Sequence, residues 1–387
     1  MPILNRAAEL QADVTEWRHH LHENPEILYE VHETAAFVAE KLKEFGVDEI
    51  VTGLGRTGVV GLIKGRGNGN NVIGLRADMD ALPLKELTGK PWASKTDGRM
   101  HACGHDGHTA MLLGASKYLA ETRNFNGTVA VIFQPAEEGG AGALAMVEDG
   151  LMDRFNIAEV YGMHNMPGMP VGTFAIRKGG IMAAPDKFFI TITGRGGHAA
   201  EPHRAIDPIA IGAQIVSNLQ LITARSANPV RSVVVSVTRF QAGTTHNIIP
   251  ETAELTGTVR THDDETQDLA ERRIREIVEG IASAHGAKAE VIYERPCPVT
   301  SNHPQETDNA ARAAMAIVGE NNVNTNVDPS MAGEDFAFML KARPGAYIMI
   351  GNGDTAGLHN PAYDFNDEAI GYGISYWVKL AEQRLAD

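Results

Sequence analysis

Residues 100–108, Met-His-Ala-Cys-Gly-His-Asp-Gly-His, bring a thiol, imidazoles and a carboxylate into one short stretch. Cys103 and His105 flank a single glycine, so both side chains can reach one point with no bulky neighbour between them. Sulfur and imidazole nitrogen together suit a divalent transition metal. A His-rich solvated loop around a buried structural cysteine has the same composition, so this cluster alone decides nothing. Further clusters shift the balance. Gln134-Pro135-Ala136-Glu137-Glu138-Gly139-Gly140 puts adjacent carboxylates just past the apolar run 128–133. Tyr161-Gly162-Met163-His164-Asn165 puts a histidine past another apolar run, and Gly357-Leu358-His359-Asn360-Pro361 supplies one more near the C-terminus. Metal-type residues recurring at strand ends between Gly and Pro are hard to explain as packing.

Two other groupings carry charge. Asp78 and Asp80, in Arg76-Ala-Asp-Met-Asp-Ala-Leu-Pro83, point the same way on an extended segment, which suits a carboxylate that fixes the tautomer of a ligating imidazole. An Asx-type turn before Pro83 is the plainer alternative. His19, His20 and His22 read as a solvated helix terminus.

These residues must be held by a large core. With 387 residues and 43% hydrophobic content, the chain is expected to form two domains of a soluble globular protein. Leu10, Val14, Trp17 and Leu21, then Phe37, Val38, Leu42 and Phe45, recur at helical spacing on either side of Asn24-Pro25. Short β-branched runs at 59–63, 72–75, 128–133 and 159–163 alternate with helical patterns through 110–120 and 143–147. That alternation predicts an α/β fold with a mostly parallel sheet covered by helices, whose sites form beyond the carboxyl ends of the strands. Residues 186–296 follow a different order: strand 188–193, helix 206–222, strands 233–240 and 254–260, helix 269–284, strand 289–293. This is the ferredoxin-like α+β pattern, expected as a domain inserted into a discontinuous one made of 1–185 and 297–387. The α/β pattern resumes with a helix through 311–318, an apolar run 346–350 and a terminal helix from Ala369; 65–71 reads as a flexible hairpin tip.

Lys+Arg 34 against Asp+Glu 49 gives a formal charge of -15, so neither nucleic acid nor an anionic membrane is an expected partner. Residues 1–21 lack the pattern of a secretory signal, and the two cysteines, Cys103 and Cys297, lie far apart; the expected location is the reducing cytoplasm.

Taken as a set, Arg-Ala-Asp-Met-Asp-Ala-Leu-Pro, Met-His-Ala-Cys-Gly-His-Asp-Gly-His, Gln-Pro-Ala-Glu-Glu-Gly, Met-His-Asn-Met-Pro, Gly-Arg-Gly-Gly-His-Ala-Ala-Glu-Pro-His and Leu-His-Asn-Pro resemble the N-acyl-amino-acid amidohydrolases. That family includes the hippurate and auxin-conjugate hydrolases and is a branch of the aminoacylase and carboxypeptidase superfamily. The resemblance spans nearly the whole chain. It implies a hydrolase with two divalent metal ions, zinc or manganese, with nickel and cobalt also open. It assigns Cys103, His105, Glu138, His164 and His359 as metal ligands, Cys103 bridging where much of the superfamily has an aspartate. Glu137 becomes the general base and Asp80 the orienting acid. Asp78 stands where many members have a ligating histidine, so it is left out of the ligand set. In the inserted domain, the resemblance implies that His198 stabilises the oxyanion, often across a dimer interface, that Asn247 and Arg260 hold the substrate's free carboxylate, and that Gly333 approaches the substrate closely. It further implies a small N-acyl amino acid as substrate and a homodimer or higher homo-oligomer built through the inserted lid and dimerisation domain.

Three other readings stay open. A dipeptidase or carboxypeptidase-like enzyme would use the same machinery. A Cys-nucleophile amidase would use Cys103 with His105 or His108, leaving Glu137, Glu138 and His359 without work. A binding protein of this fold would be expected to lack a base or a ligand, yet every matched position holds a competent residue.

Overall fold

Valine- and isoleucine-rich runs become strands because branched side chains pack well on a covered, pleated surface. Val72–Asp78 and Gly345–Gly351 are buried along their whole length, and Thr128–Gln134 all but its first residue, as strands covered on both faces must be. This computed structural model describes residues 3–67 and 69–386; Asn68 of the expected hairpin tip and the first two residues of the N-terminal stretch lie outside them.

By its internal packing the chain divides into two compact units. The first comprises Met1–Ile181, Ser301–Asp328 and Asp335–Asp387. Its eight-stranded sheet runs in the order Glu49–Leu54, Gly58–Lys64, Thr128–Gln134, Val72–Asp78, Ile157–Met166, Gly345–Gly351, Phe174–Ala175, Val323–Asn324. The centre is parallel: Val72–Asp78 pairs with both Thr128–Gln134 and Ile157–Met166, and the latter pairs with Gly345–Gly351. Antiparallel pairs flank that centre, so the predicted parallel sheet is mixed at its margins. Helices Asn5–Glu23, His105–Thr122, Pro304–Val318 and Ile370–Arg384 pack together over the sheet, closing a core around residues such as Leu113, Val131, Ile348 and Trp377.

The second unit comprises Met182–Thr300 with Pro329–Glu334. It reaches slightly beyond the expected 186–296 on each side and takes in a short segment that the sequence pattern had assigned to the first domain. Strands Ala184–Thr193, Val233–Ala242, Thr252–Thr261 and Lys288–Glu294 form an antiparallel sheet in which Ala184–Thr193 and Thr252–Thr261 are central. Helices Pro208–Leu221 and Asp264–Ala284 cover one face, burying Phe188, Ile190, Ile215 and Ile274. Both are capped by an aspartate: Asp207 accepts from Ile209 N and Asp263 from Thr266 N. The β-α-β-β-α-β order and this strand arrangement are the ferredoxin-like pattern. Among the described residues, no helix is long and apolar enough to cross a membrane.

Candidate active site

The first unit gathers the candidate ligands where its parallel strands end. Asp78 closes Val72–Asp78 opposite Gln134, so the Asp80 turn and the Glu137–Glu138 turn leave the sheet side by side. Asp80 ties them together: its carboxylate accepts from Glu137 N at 2.9 Å and Glu138 N at 3.1 Å. Burial pushes this carboxyl above its usual range, against hydrogen bonds from His105 and the Glu137 amide. Asp80 is therefore a buried clamp on the backbone of both glutamates.

The histidines of the 100–108 stretch are sorted by their hydrogen bonds. His105 opens the helix His105–Thr122, and its Nδ1 donates to Asp80 O at 2.8 Å. In the neutral ring that leaves Nε2 as the lone-pair nitrogen, buried and with no hydrogen-bond partner; burial works against protonation here, but Asp78 and Cys103 outweigh it and raise the pKa well above its usual value. His164, still inside the strand Ile157–Met166 and not past its end, donates from Nδ1 to Asn165 O at 2.6 Å. Its Nε2 faces Cys103 Sγ at 3.4 Å. His108 is used on both sides: Nδ1 donates to Asp78 Oδ1 at 2.7 Å and Nε2 accepts from Asn165 N at 2.9 Å. It braces the site. His101 is buried without a partner for either ring nitrogen, and burial drops its pKa to about 3.

Cys103 sits on the turn before the helix. Gly104 there has φ 88°, and a Cβ would fall 2.2 Å from Asn165 Nδ2 and 2.5 Å from Tyr363 OH. A side chain at 104 would be strained by that φ and would need space that Asn165 and Tyr363 already fill, so glycine holds the turn that carries Cys103. Burial pushes the Cys103 thiol well above its usual range. His359 also has a left-handed backbone, φ 59°, and is anchored by its N–H to Ala102 O at 2.7 Å. Its Nε2 lies 3.2 Å from Glu138 Oε1. That contact raises the His359 pKa, while burial of Glu138 is outweighed by His359 and His105, which hold its carboxyl low.

Two donor groups result. Cys103, His105 and His164 bring ligand atoms within 4.8 Å of one another, and so do Cys103, Glu138 and His359. Cys103 Sγ belongs to both. Asp78 with His105 and His108, and His105 with Glu137 and Glu138, meet the same criterion, but the His108 nitrogens are already spent. The residues fit a pair of divalent ions: His105 and His164 each spend Nδ1 on a backbone oxygen and keep Nε2 for the site, the buried Nε2 of His105 lacks a partner, and a neighbouring cation would displace a proton from His105 and reverse the burial effect on the thiol. Sulfur, nitrogen and oxygen donors in one set suit zinc, manganese, nickel or cobalt.

The second unit holds the other candidates. His198 and Asn247 come together on a two-stranded ribbon in which Ile248 pairs with His198, and Ala199 N donates to Asn247 O at 3.0 Å. His198 Nδ1 accepts from Ala200 N at 3.1 Å, so the neutral ring carries its proton on Nε2. Arg260 is partly buried, with Nε donating to Met331 O at 3.2 Å and Nη1 to Val259 O at 2.9 Å. Gly333 is packed against Pro185, whose Cγ a Cβ would meet at 2.7 Å; that contact accounts for the glycine.

One expectation is overturned. Of the histidines expected at a solvated helix terminus, His20 is exposed and His19 half-buried, but His22 is fully buried beside Arg18, with its Nδ1 2.7 Å from Asp106 Oδ2, so the expectation fails at His22. The sequence reading also passed over Asn165. Its side chain donates to Cys103 O at 2.6 Å and accepts from Tyr363 OH at 2.7 Å, locking the Cys103 turn to the segment after His359. The available signal was its place directly after His164.

A model of the peptidase family M20/M25/M40 matches residues 74–383. The chain is 45% identical over 381 residues to a hippurate hydrolase of Campylobacter jejuni, covering 98% of this chain and 99% of that protein. It is 46% identical over 288 residues to an N-acyl-L-amino acid amidohydrolase of Geobacillus stearothermophilus, covering 74% and 77%. Among solved structures, a dinuclear metal-binding peptidase of the M20 family from Bacillus subtilis matches with TM-score 0.86 and 38% identity, covering 98% of this chain and 99% of that one.

Proposed function

The chain belongs to the peptidase family M20/M25/M40 and is a hydrolase acting on amides, and on that premise we propose that it cleaves N-acyl amino acids to a carboxylic acid and a free amino acid. The observation that supports this most is the pair of donor groups sharing Cys103, with Glu137 next to the Glu138 of one of them. Cys103, His105, Glu138, His164 and His359 would hold the two ions. When bound, such ions polarise the scissile carbonyl and lower the pKa of water. The chain's own residues do the rest. Glu137, its backbone fixed by Asp80, takes a proton from the attacking water and delivers it to the amide nitrogen as the C–N bond breaks. His198 offers an Nε2–H to the oxygen that gains charge, and Asn247 and Arg260 receive the substrate's carboxylate, for which a planar guanidinium is suited. Gly333, whose small size its packing on Pro185 already requires, is proposed to lie near the bound substrate.

A Cys103 nucleophile is disfavoured because burial raises the thiol pKa despite His105 beside it, because both His108 nitrogens are engaged, and because it leaves Glu137, Glu138 and His359 without work. The proposed setting is the cytoplasm, where a free buried thiol persists. The proposed assembly is a homodimer or higher homo-oligomer through the inserted unit. Mixing His198→Ala and Glu137→Ala proteins checks the assembly: activity returns if His198 serves a partner's site and stays absent if it does not.

The substrate reading is tested with the metal-loaded enzyme on a panel of hippurate, N-acetyl and longer N-acyl amino acids and short dipeptides, followed by amino-acid release. N-acyl amino acids are expected to show the higher kcat/KM. A preference for dipeptides would move the enzyme to the carboxypeptidase-like reading, and no release from any member would favour a binding protein.

A further inference from the structure

Segments that follow two of the donors, His105 and His359, meet at one buried guanidinium. Arg18, on the helix Asn5–Glu23, has a side chain 0% exposed. Its Nε donates to Asp367 Oδ1 at 2.9 Å, and its Nη1 lies 3.4 Å from both Asp106 Oδ2 and Asp364 Oδ1. One turn on, on the same helix face, His22 places Nδ1 2.7 Å from that same Asp106 Oδ2 and Nε2 3.4 Å from Glu86 Oε1. Trp92 closes the cluster: the guanidinium carbon stands 5.1 Å from its ring centroid, and its Nε1 donates to Asp364 Oδ1 at 3.3 Å.

One acid in this cluster adjoins a donor directly, and two lie on the segment that follows another. Asp106 directly follows His105, in the first turn of its helix. Asp364 and Asp367 follow His359, and Glu86 lies in the loop between Asp80 and Cys103. His105 belongs to one donor group and His359 to the other. Buried ion pairs of this kind are a poor route to stability, since well-packed apolar residues often serve as well. What a guanidinium adds is a rigid fork that fixes the spacing of the oxygens it binds.

We propose that Arg18 is a positioning residue that sets the separation of the two metal positions, with His22 holding the Asp106 end. This rests on the two-metal reading above. Helix Asn5–Glu23 thereby acts as a ruler behind the site, although it carries no ligand itself.

The test is stepwise cobalt binding to metal-stripped protein, read by thiolate-to-cobalt absorbance and by metal analysis, in wild type, Arg18→Lys and Asp367→Asn. Lysine keeps the charge and loses the fork; Asp367→Asn leaves Arg18 in place and removes one charged contact. Arg18→Lys is expected to weaken one of the two cobalt steps about tenfold or more, the size seen when partners behind metal ligands are removed. Asp367→Asn should shift the same step less, and kcat should fall more than KM changes. Two ions bound with wild-type affinity by both variants, with only a lowered Tm, would overturn the proposal and leave the two-metal reading standing. Fewer than two ions in wild type would overturn both. If Arg18→Lys does not fold, Asp367→Asn decides alone.

Discussion

Replacing Asp80 by Asn tests whether the clamp on the glutamate turn serves catalysis. The buried carboxylate accepts two backbone N–H groups, Glu137 at 2.9 Å and Glu138 at 3.1 Å. Asparagine keeps one acceptor oxygen and turns an NH2 toward the other amide. One charge-assisted bond, worth about 2 kcal/mol, is lost, and a buried N–H left unsatisfied costs about 1–3 kcal/mol more. Stability should therefore fall by about 3–5 kcal/mol by urea midpoint with an unchanged m-value. The freed turn lets Glu137 drift, and a misplacement near 1 Å costs about 100-fold in rate. Amino-acid release at saturating N-acyl substrate should show kcat down about 100-fold with KM changed much less. The reasoning is refuted if kcat stays within a few-fold of wild type while the stability loss appears, because Asp80 would then be a fold residue only.

Other perturbations probe separate parts of the account. Gly104→Ala should cost about 2–4 kcal/mol, combining a left-handed backbone with overpacking against Asn165 and Tyr363, and should weaken cobalt binding; urea melts and cobalt titration check both. His22 loses protonation through burial, but Asp106 outweighs this and its pKa is pushed up to about 9, so its contribution is full below about 6.5 and fades as pH rises through about 9. Asp106, held low by His22 despite its burial, contributes above about 4 and loses that contribution in acid. The stability gap between wild type and His22→Phe, measured by urea midpoint, should thus be widest near pH 6 and smaller by about pH 9.5. Arg260→Ala should raise KM about tenfold to 100-fold for substrates with a free carboxylate while leaving kcat near wild type, and an unchanged KM would remove Arg260 from the carboxylate site.

The alternation of β-branched runs with helical patterns was enough to read the α/β fold, because burial on both sheet faces writes itself into local sequence, and the inserted unit, whose sheet is covered on one face, was legible from its β-α-β-β-α-β order. The candidate donors Cys103, His105, Glu138, His164 and His359 stood out as short motifs, and their ligand assignment came from the resemblance of those motifs as a set; the structure brings their atoms together in two groups. What local pattern hides is pairing over distance. Arg18 and His22 lie at the end of an ordinary amphipathic helix, and their partners Asp106, Asp364 and Asp367 are far along the chain. Nothing near residue 18 says that its charge is met inside the protein. Likewise, only the hydrogen bonds of His108 separate it from His105 within one histidine-rich stretch.

The central claim is that this chain hydrolyses amides with metal held at Cys103 and Glu137 as base. It is met most directly by following amino-acid release from hippurate with chelator-stripped protein, then with the same protein reloaded with manganese or zinc, beside Glu137→Ala carrying the same metal content. The account expects release to vanish on stripping, return on reloading and stay about 100- to 10,000-fold lower in Glu137→Ala. Release indifferent to chelator, or a fully active Glu137→Ala, would contradict it.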